Sequence, residues 1–163
     1  MYNVIIIMEE PQMEKSHEKH SLSDKWVLWA HLPHDTNWSL KSYIKICKIQ
    51  HAEEIIALNN SLPDQLIKNC MLFLMRDNIL PMWEDPKNCE GGCFSFKIVN
   101  KNIASVWKEI SYLLTGDTLS SDQNLLDSIT GITVSPKKSF CILKIWLSII
   151  KYQNFKKIKE INN

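Results

Sequence analysis

Residues 79–92 have the sequence ILPMWEDPKNCEGG, which combines loop-forming prolines and glycines with one large aromatic side chain. Trp83 follows a proline and a methionine and precedes Glu84, so the tryptophan is predicted to lie in a loop. Loops run over the protein surface and seldom bury a large aromatic side chain without a reason. The pair Gly91 and Gly92 predicts a hairpin turn or a bulge before the next strand.

Apolar runs on both sides of this loop predict β-strands. Residues 70–75 (CMLFLM) precede the loop, and residues 93–99 (CFSFKIV) follow it. Similar runs, with apolar residues on one or both faces, predict four further strands. These lie at residues 26–32, 42–49, 129–134 and 140–147.

Apolar residues at helical spacing predict the clearest helix between residues 103 and 114, and Gly116 provides an ordinary C-terminal stop. Shorter helices are predicted at residues 52–60 and from about residue 154 to residue 161. Strands outnumber helices, and the helices are spaced among them. The sequence therefore predicts an α+β domain in which helices cover one face of a largely antiparallel sheet.

The length and composition are those of one compact domain. The chain has 163 residues, of which 45% are hydrophobic and 23% are charged. These proportions are ordinary for a globular protein and argue against a disordered, fibrous or membrane protein. Residues 1–23 are mostly polar and lack a period, so they are predicted to form a mobile N-terminal arm, with the domain at residues 24–163.

The net charge of +1 excludes a general attraction to polyanions, so any nucleic-acid contact needs a local basic region. Residues 137–163 carry seven lysines against a single glutamate. From charge alone this region fits a binding surface and a solvated face equally well.

The five cysteines are odd in number and scattered, and no secretory signal is evident, so reduced thiols in the cytoplasm are predicted. Cys89 and Cys93 could hold half a zinc site, but no second Cys or His pair follows, and no metal or cofactor is expected. The sequence also lacks paired carboxylates, a nucleophile with a base, or a glycine-rich phosphate loop in a convincing context. We therefore expect no enzymatic activity.

Two tryptophans are predicted to lie in loops, Trp83 and Trp38 in HDTNWS. A base between two indoles gains about 1 to 3 kcal/mol per stacking contact. A positively charged base gains about 0.5 to 2 kcal/mol more from the ring quadrupole. Glu84 could accept hydrogen bonds from the N–H groups of such a base. The alternative is that Trp83 only fills space within its loop and Glu84 is solvated.

Core packing is predicted for Trp26, Trp29 and Trp107, and either role fits Trp146.

Four segments together resemble the eukaryotic initiation factor 4E family of mRNA cap-binding translation factors. The loop at residues 79–92 is similar to the family's hallmark run of Pro, Met, Trp, Glu and Asp followed by Asn and two glycines. HSLSDKWVLW at residues 20–29 is similar to its opening strand, VWKEISYLLTGD at 106–117 to its second helix, and GITVSPKKSFCILKIW at 131–146 to its cap-phosphate strands.

This resemblance implies a curved antiparallel sheet with helices packed on the convex face and a cap-binding slot on the concave face. Trp38 and Trp83 would sandwich 7-methylguanine, and Glu84 would bind its N1 and N2 protons. Trp146 would pack near the N7-methyl group. The ligand would be capped mRNA, bound by a monomer.

The resemblance also implies basic residues that bind the cap phosphates. Lys137 takes the position of the family's phosphate-binding arginine, which keeps the charge but loses the bidentate fork. Ile142 takes the position of the family's second basic residue, so Lys138 or Lys144 would have to substitute for it. Lys144 shares strand parity with Trp146 and could face the same slot.

On the convex face the family binds a 4G-type scaffold or a 4E-binding protein. Ile56 replaces the family's anchoring tryptophan, and Lys108 and Tyr112 replace apolar residues of the dock. Loss of an aromatic anchor can cost about 2 kcal/mol at an interface. The resemblance assigns this surface to His20, Leu22, Ile56, Lys108, Glu109 and Tyr112. The family continues into one more strand beyond the position of Asn163, so the chain resembles a shortened member.

Three functions remain open from the sequence. The leading hypothesis is cap binding that promotes translation initiation. The second is a repressor that sequesters the cap without recruiting the scaffold. The third is an interaction protein that keeps the fold but has lost cap affinity.

Overall fold

The computed structural model describes residues 18–152 and 154–160. Within them the chain forms six strands and five α-helices, with two short 3-10 turns at Leu40–Ser42 and Phe155–Lys157. The strands are β1 (Ser21–His31), β2 (Tyr43–His51), β3 (Met71–Arg76), β4 (Gly92–Val99), β5 (Ile129–Pro136) and β6 (Phe140–Leu147). The helices are α1 (Ala52–Ser61), α2 (Asp64–Asn69), α3 (Pro86–Cys89), α4 (Ile103–Thr115) and α5 (Gln123–Ser128).

The six strands form one curved, open sheet in the order β2-β1-β3-β5-β6-β4. Every neighbouring pair is antiparallel, and β5 and β6 form a hairpin whose turn contains Lys137 and Lys138. The predicted fold class is therefore confirmed, including helices on the convex face. Among the described helices, none is both long and apolar enough to cross a bilayer.

Side chains alternate between the two faces of the sheet, and the faces differ in what covers them. Trp26 and Leu28 of β1 point toward the helices and join the main core with Trp107 of α4. Trp29 follows Leu28 and points to the opposite face, where it packs half-buried against a second, smaller core cluster that includes Phe73. Core packing is thus confirmed for Trp26 and Trp107 in the main core, and Trp29 packs against the smaller cluster on the open face.

Helix α4 supplies the largest apolar surface to the core. Its buried side chains recur at three- and four-residue intervals, which places them on one stripe of the helix. They include Ile103, Val106, Trp107, Ile110 and Leu114. The helix ends at Thr115, one residue before Gly116, as the sequence predicts.

The two ends of the domain differ from the predictions. Strand β1 begins at Ser21, so residues 21–23 of the expected arm belong to the sheet, while residues 1–17 lie outside the described part. The predicted C-terminal helix is wrong, since only the 3-10 turn Phe155–Lys157 forms there. Within residues 154–160, Phe155 is 56% exposed and Ile158 is the one buried side chain, so this described stretch has no apolar stripe long enough to hold a helix.

Three short helices were missed because side-chain caps and prolines start them rather than apolar periodicity. Asp122 accepts a hydrogen bond from the backbone N–H of Leu125 and begins α5 where a polar loop is predicted. Asp85 accepts from the N–H of Lys87 and, with Pro86 at the first helical position, begins α3.

Gly91 is required by a close backbone approach rather than by the predicted hairpin turn. Strand β4 pairs with β6 and not with the preceding β3, so no hairpin forms at this point. A Cβ atom at Gly91 would lie 1.6 Å from the carbonyl oxygen of Leu147, whereas a Cβ at Gly92 would meet nothing within 4 Å.

We therefore expect Gly91→Ala to lower the free energy of unfolding by about 3 kcal/mol, because two backbone segments must separate. Gly92→Ala is the matched control and should change it by less than about 1 kcal/mol. Urea unfolding followed by circular dichroism measures both. Equal stability of the two variants would contradict the close approach.

Candidate functional site

Asp85 organises the turn that carries Trp83 and Glu84. This carboxylate is buried, and it accepts hydrogen bonds from the backbone N–H groups of Leu80 and Lys87, both at 2.9 Å. The two donors lie on opposite sides of the tryptophan, so one side chain closes the turn around it. Such charge-assisted bonds to backbone N–H groups are among the stronger hydrogen bonds in proteins.

Asn88 fixes the same turn from beneath. Its side chain is fully buried, and its amide nitrogen donates to the carbonyl oxygens of Leu80 at 3.1 Å and Met82 at 2.8 Å. Its amide oxygen accepts from the hydroxyl of Thr130 on β5, at 2.8 Å. Asn88 therefore attaches the turn to the sheet, and Trp83 and Glu84 project outward from it.

Trp83 and Glu84 project from this turn, and Trp83 is 50% exposed. The ring of Trp83 lies 6.1 Å from that of Trp146 on β6, centroid to centroid, with a tilt of 47° between the planes. The indole N–H of Trp146 donates to the hydroxyl of Thr133 on β5 at 2.7 Å, which fixes the orientation of this ring. The two indoles thus meet at an angle on the face of the sheet that the helices leave open.

Trp38 lies in the loop between β1 and β2 and is 53% exposed. One face of its indole stacks on the imidazole of His31, with the centroids 4.1 Å apart and the planes within 2°. The ring of Tyr43 lies 6.5 Å away at 62°. His31 and Tyr43 occupy opposite positions in the β1–β2 pair, so the sheet register holds the three rings together.

These aromatic side chains form two groups. Trp38 lies with His31 and Tyr43, and Trp83 lies with Trp146. Burial and, secondarily, the negative charge of Glu84 raise the pKa of the Tyr43 hydroxyl above its ordinary value.

Two adjoining cavities lie on this open face. The first has a volume of about 350 Å3 and is lined by Phe73, Ile142, Lys144 and Trp146, and by Lys137 at one end. The second, of about 290 Å3, shares Lys137 with the first and reaches Trp38 and His31. We call the two together the slot. A further cavity of about 480 Å3 lies on the helical side, against Val106 of α4, and contains none of the predicted site residues.

The three candidate phosphate-binding lysines are not equivalent. Lys137 lines both cavities of the slot, and Lys144 lines the first, where its ammonium lies 5.8 Å from the ring centroid of Trp146. Lys138 is exposed in the β5–β6 turn and lines neither cavity. Ile142 lines the slot, as strand parity with Trp146 predicts, and gives this wall an apolar patch.

The predicted partner-binding residues lie on and beside α1 and α4. Ile56 is 49% exposed and therefore does not belong to the core. The ammonium of Lys108 donates to the side chain of Asn60 at 2.9 Å and lies 6.0 Å from the ring centroid of Tyr112. Glu109 is half-buried on the same helix. The bond from Lys108 to Asn60 thus links α4 to α1 beside these residues.

The start of β1 adds two more residues to this side. The Nδ1 atom of His20 lies 2.6 Å from a carboxylate oxygen of Glu53 on α1, and this hydrogen bond lowers the pKa of Glu53 to about 2. Leu22 packs half-buried against the main core. The chain entering the sheet is thus attached to α1.

Sequence reasoning did not identify Asp85, Asn88, Thr130, His31 or Tyr43 as parts of this site. An acid directly before a proline is a common helix N-cap, so Asp85 had a readable signal. Asn88 belongs to the loop motif that carries the family resemblance, but its partnership with Thr130 had no signal, because it depends on tertiary contact between the loop and β5. His31 and Tyr43 looked like ordinary strand residues.

The fold and the slot together define a class: a curved, open antiparallel sheet backed by helices, with exposed tryptophans and lysines on its uncovered face. Residues 21–163 match the family model described as eukaryotic initiation factor 4E. The chain belongs to the eukaryotic initiation factor 4E family.

Relatives and solved structures agree with this assignment. The chain is 27% identical to the initiation factor 4E of Eremothecium gossypii over 146 residues, 86% of this chain and 68% of that protein. It is 30% identical to the 4E homologue of Acanthamoeba polyphaga mimivirus, over 70% of this chain and 50% of that protein. The same fold occurs in schistosome eIF4E complexed with m7GpppG and 4E-BP, with a TM-score of 0.75, 21% identity, and coverage of 84% of this chain and 76% of that one.

The buried Asn88 amide gives a direct test of how the turn is held. We expect Asn88→Ala to lower the free energy of unfolding by about 2 to 4 kcal/mol, because two backbone carbonyls and the Thr130 hydroxyl lose their partner in a buried place. Lys87→Ala, an exposed side chain in the same turn, should change it by less than about 0.5 kcal/mol. Urea titration of both variants makes the comparison, and a mild effect of Asn88→Ala would contradict the network.

Proposed function

We propose that this protein binds the 7-methylguanosine cap of mRNA and thereby promotes translation initiation. The observation that carries the proposal is the pair of half-exposed loop tryptophans, Trp38 and Trp83, with Trp146 beside Trp83 and the exposed Glu84 adjacent to Trp83 in the chain. Family membership supports the same conclusion, since the schistosome relative of this fold is described in complex with m7GpppG.

The base is recognised by stacking and by charge. Two indoles of this kind each contribute about 1 to 3 kcal/mol of stacking to a purine. N7-methylation gives the guanine a positive charge, and a cation over an indole face gains about 0.5 to 2 kcal/mol. An unmethylated guanine stacks but lacks this second contribution. Methylation is therefore the feature that Trp38 and Trp83 distinguish.

Glu84 supplies the directional part of base recognition. Its exposed carboxylate accepts hydrogen bonds from the N1 and N2 hydrogens of guanine, and each charge-assisted bond contributes about 1.5 to 3 kcal/mol. Adenine presents no donor at N1, so the carboxylate selects guanine. Trp146 packs at the methyl-bearing edge, where its fixed ring closes the slot.

Lys137 and Lys144 bind the triphosphate. Both line the slot, one at the turn between β5 and β6 and the other on β6. Each is a point charge rather than a fork, so the phosphates are held by charge more than by geometry. Lys138 is exposed outside the cavities and takes no part.

The protein acts by recognition and without chemistry of its own, in the cytoplasm, where capped mRNA is translated. Its convex surface, formed by Ile56, Lys108 and Tyr112 with their neighbours, docks a 4G-type scaffold or a 4E-binding protein. Solved relatives of this fold include a Caenorhabditis elegans eIF4E-3 in complex with the 4E-binding protein Mextli, with a TM-score of 0.72 and 20% identity. The exposed Ile56 offers an aliphatic contact in place of an aromatic one.

Retention on immobilised 7-methylguanosine triphosphate tests the proposal. We expect the protein to be retained and to elute with methylated but not with unmethylated nucleotide. Trp38→Ala, Trp83→Ala and Glu84→Gln should each weaken binding by about 10-fold or more, because each removes about 1.4 kcal/mol or more. Phe155→Ala, which removes an exposed aromatic ring elsewhere, is the control and should bind like the parent protein. Elution by both nucleotides alike would refute cap recognition.

The phosphate contacts have their own test. We expect Lys137→Ala and Lys144→Ala to weaken binding of 7-methylguanosine triphosphate and to reduce its salt dependence, while binding of 7-methylguanosine itself stays unchanged. Lys138→Ala is the matched control, one residue from Lys137 but outside the slot. Fluorescence titration at several salt concentrations provides the measurement. A larger effect of Lys138→Ala than of Lys144→Ala would overturn the assignment.

A further inference from the structure

We infer that His31 is a positioning residue for Trp38, holding the indole in the plane on which the cap base stacks; this inference rests on the proposed function. The supporting observation is the coplanar stack, with ring centroids 4.1 Å apart and an interplanar angle of 2°. A stacking tryptophan on a free loop would have to be ordered when the ligand binds. A tryptophan that already stacks on a strand residue has been ordered in advance.

His31 is suited to this role because the sheet holds it. Its side chain is only 2% exposed, and it lies at the end of β1, paired with Tyr43 on one side and with Met71 on the other. The Tyr43 ring contacts it edge-on, with centroids 5.2 Å apart at 64°. The imidazole therefore has little freedom to rotate, and neither does a ring stacked on it.

The imidazole also holds the loop backbone next to Trp38. Its Nε2 atom lies 2.9 Å from the carbonyl oxygen of Asn37, and because a carbonyl can only accept, the imidazole donates. Asn37 in turn accepts, through its side chain, from the N–H of Ser39 at 2.9 Å. The residues on both sides of Trp38 are thus fixed, and ring and loop form one unit.

The exposure of Trp38 indicates which face is left for a ligand. Its side chain remains 53% exposed although the imidazole covers one face of the ring. The uncovered face is the one available to a base. The bound state is then a four-layer stack of imidazole, indole, base and indole, in which His31 contributes without touching the ligand.

The test is a double-mutant cycle in 7-methylguanosine triphosphate binding, measured by fluorescence titration. We expect His31→Ala to weaken binding by between about 2-fold and about 12-fold, the range for an aromatic pair. In a Trp38→Ala background the same change should have no further effect, because its action passes through the indole. Ile44→Ala, which shortens an exposed side chain of β2 that lines neither cavity of the slot, is the control and should bind like the parent protein.

His31→Phe separates the ring from the hydrogen bond. Phenylalanine keeps the stacking surface but cannot donate to Asn37, so we expect binding within about 2-fold of the parent protein. Thermal unfolding of each variant verifies the fold. Parent-like or tighter binding by His31→Ala, or additive effects in the cycle, would overturn the inference while leaving cap binding intact. Failure of the parent protein to bind would instead refute the proposed function, and the inference with it.

Discussion

The buried side-chain amide of Asn88 is the interaction on which the site depends. A buried amide left without partners is costly, so its bonds to Leu80, Met82 and Thr130 allow few alternative conformations of the turn. Asp85 closes the same turn by its bonds to Leu80 and Lys87, which flank Trp83, so this tryptophan is held outward. Exposure of the Trp83 indole to solvent is unfavourable in itself. The hydrogen bonds of Asn88 and Asp85 thus maintain this exposure.

The sheet applies a second constraint, which is alternation. Because helices cover only one face, the strands direct most of their large apolar residues toward them, and the residues between form the open face. Leu143 and Ile145 face the core, so Lys144 and Trp146 must face the slot. The requirement for a core therefore determines, without separate cost, which β6 residues can meet a ligand.

These constraints explain what the sequence could predict. Strand alternation and helical periodicity depend on the order of neighbouring residues. The bounds of the six strands and of helices α1 and α4 could therefore be predicted from the sequence to within about five residues. The roles of Trp38 and Trp83 came from their loop positions and from the family resemblance, and they stay predictions. What could not be predicted depends on contacts between distant segments, such as Asn88 with Thr130. The face of the sheet on which Trp29 packs could not be predicted either, because β1 carries apolar residues on both faces.

Charge along the slot gives the ligand a direction. Glu84 is adjacent to Trp83 in the turn after β3, whereas Lys137 lies where the two cavities join and Lys144 beside Trp146. A ligand with a cationic base and an anionic tail matches this order in one orientation, and the reverse orientation brings like charges together, which is unfavourable at such short range. The net charge of +1 adds little attraction from a distance. Selectivity for a ligand must then arise once it touches the slot, from the positions of Glu84 and the lysines, rather than from long-range attraction of polyanions.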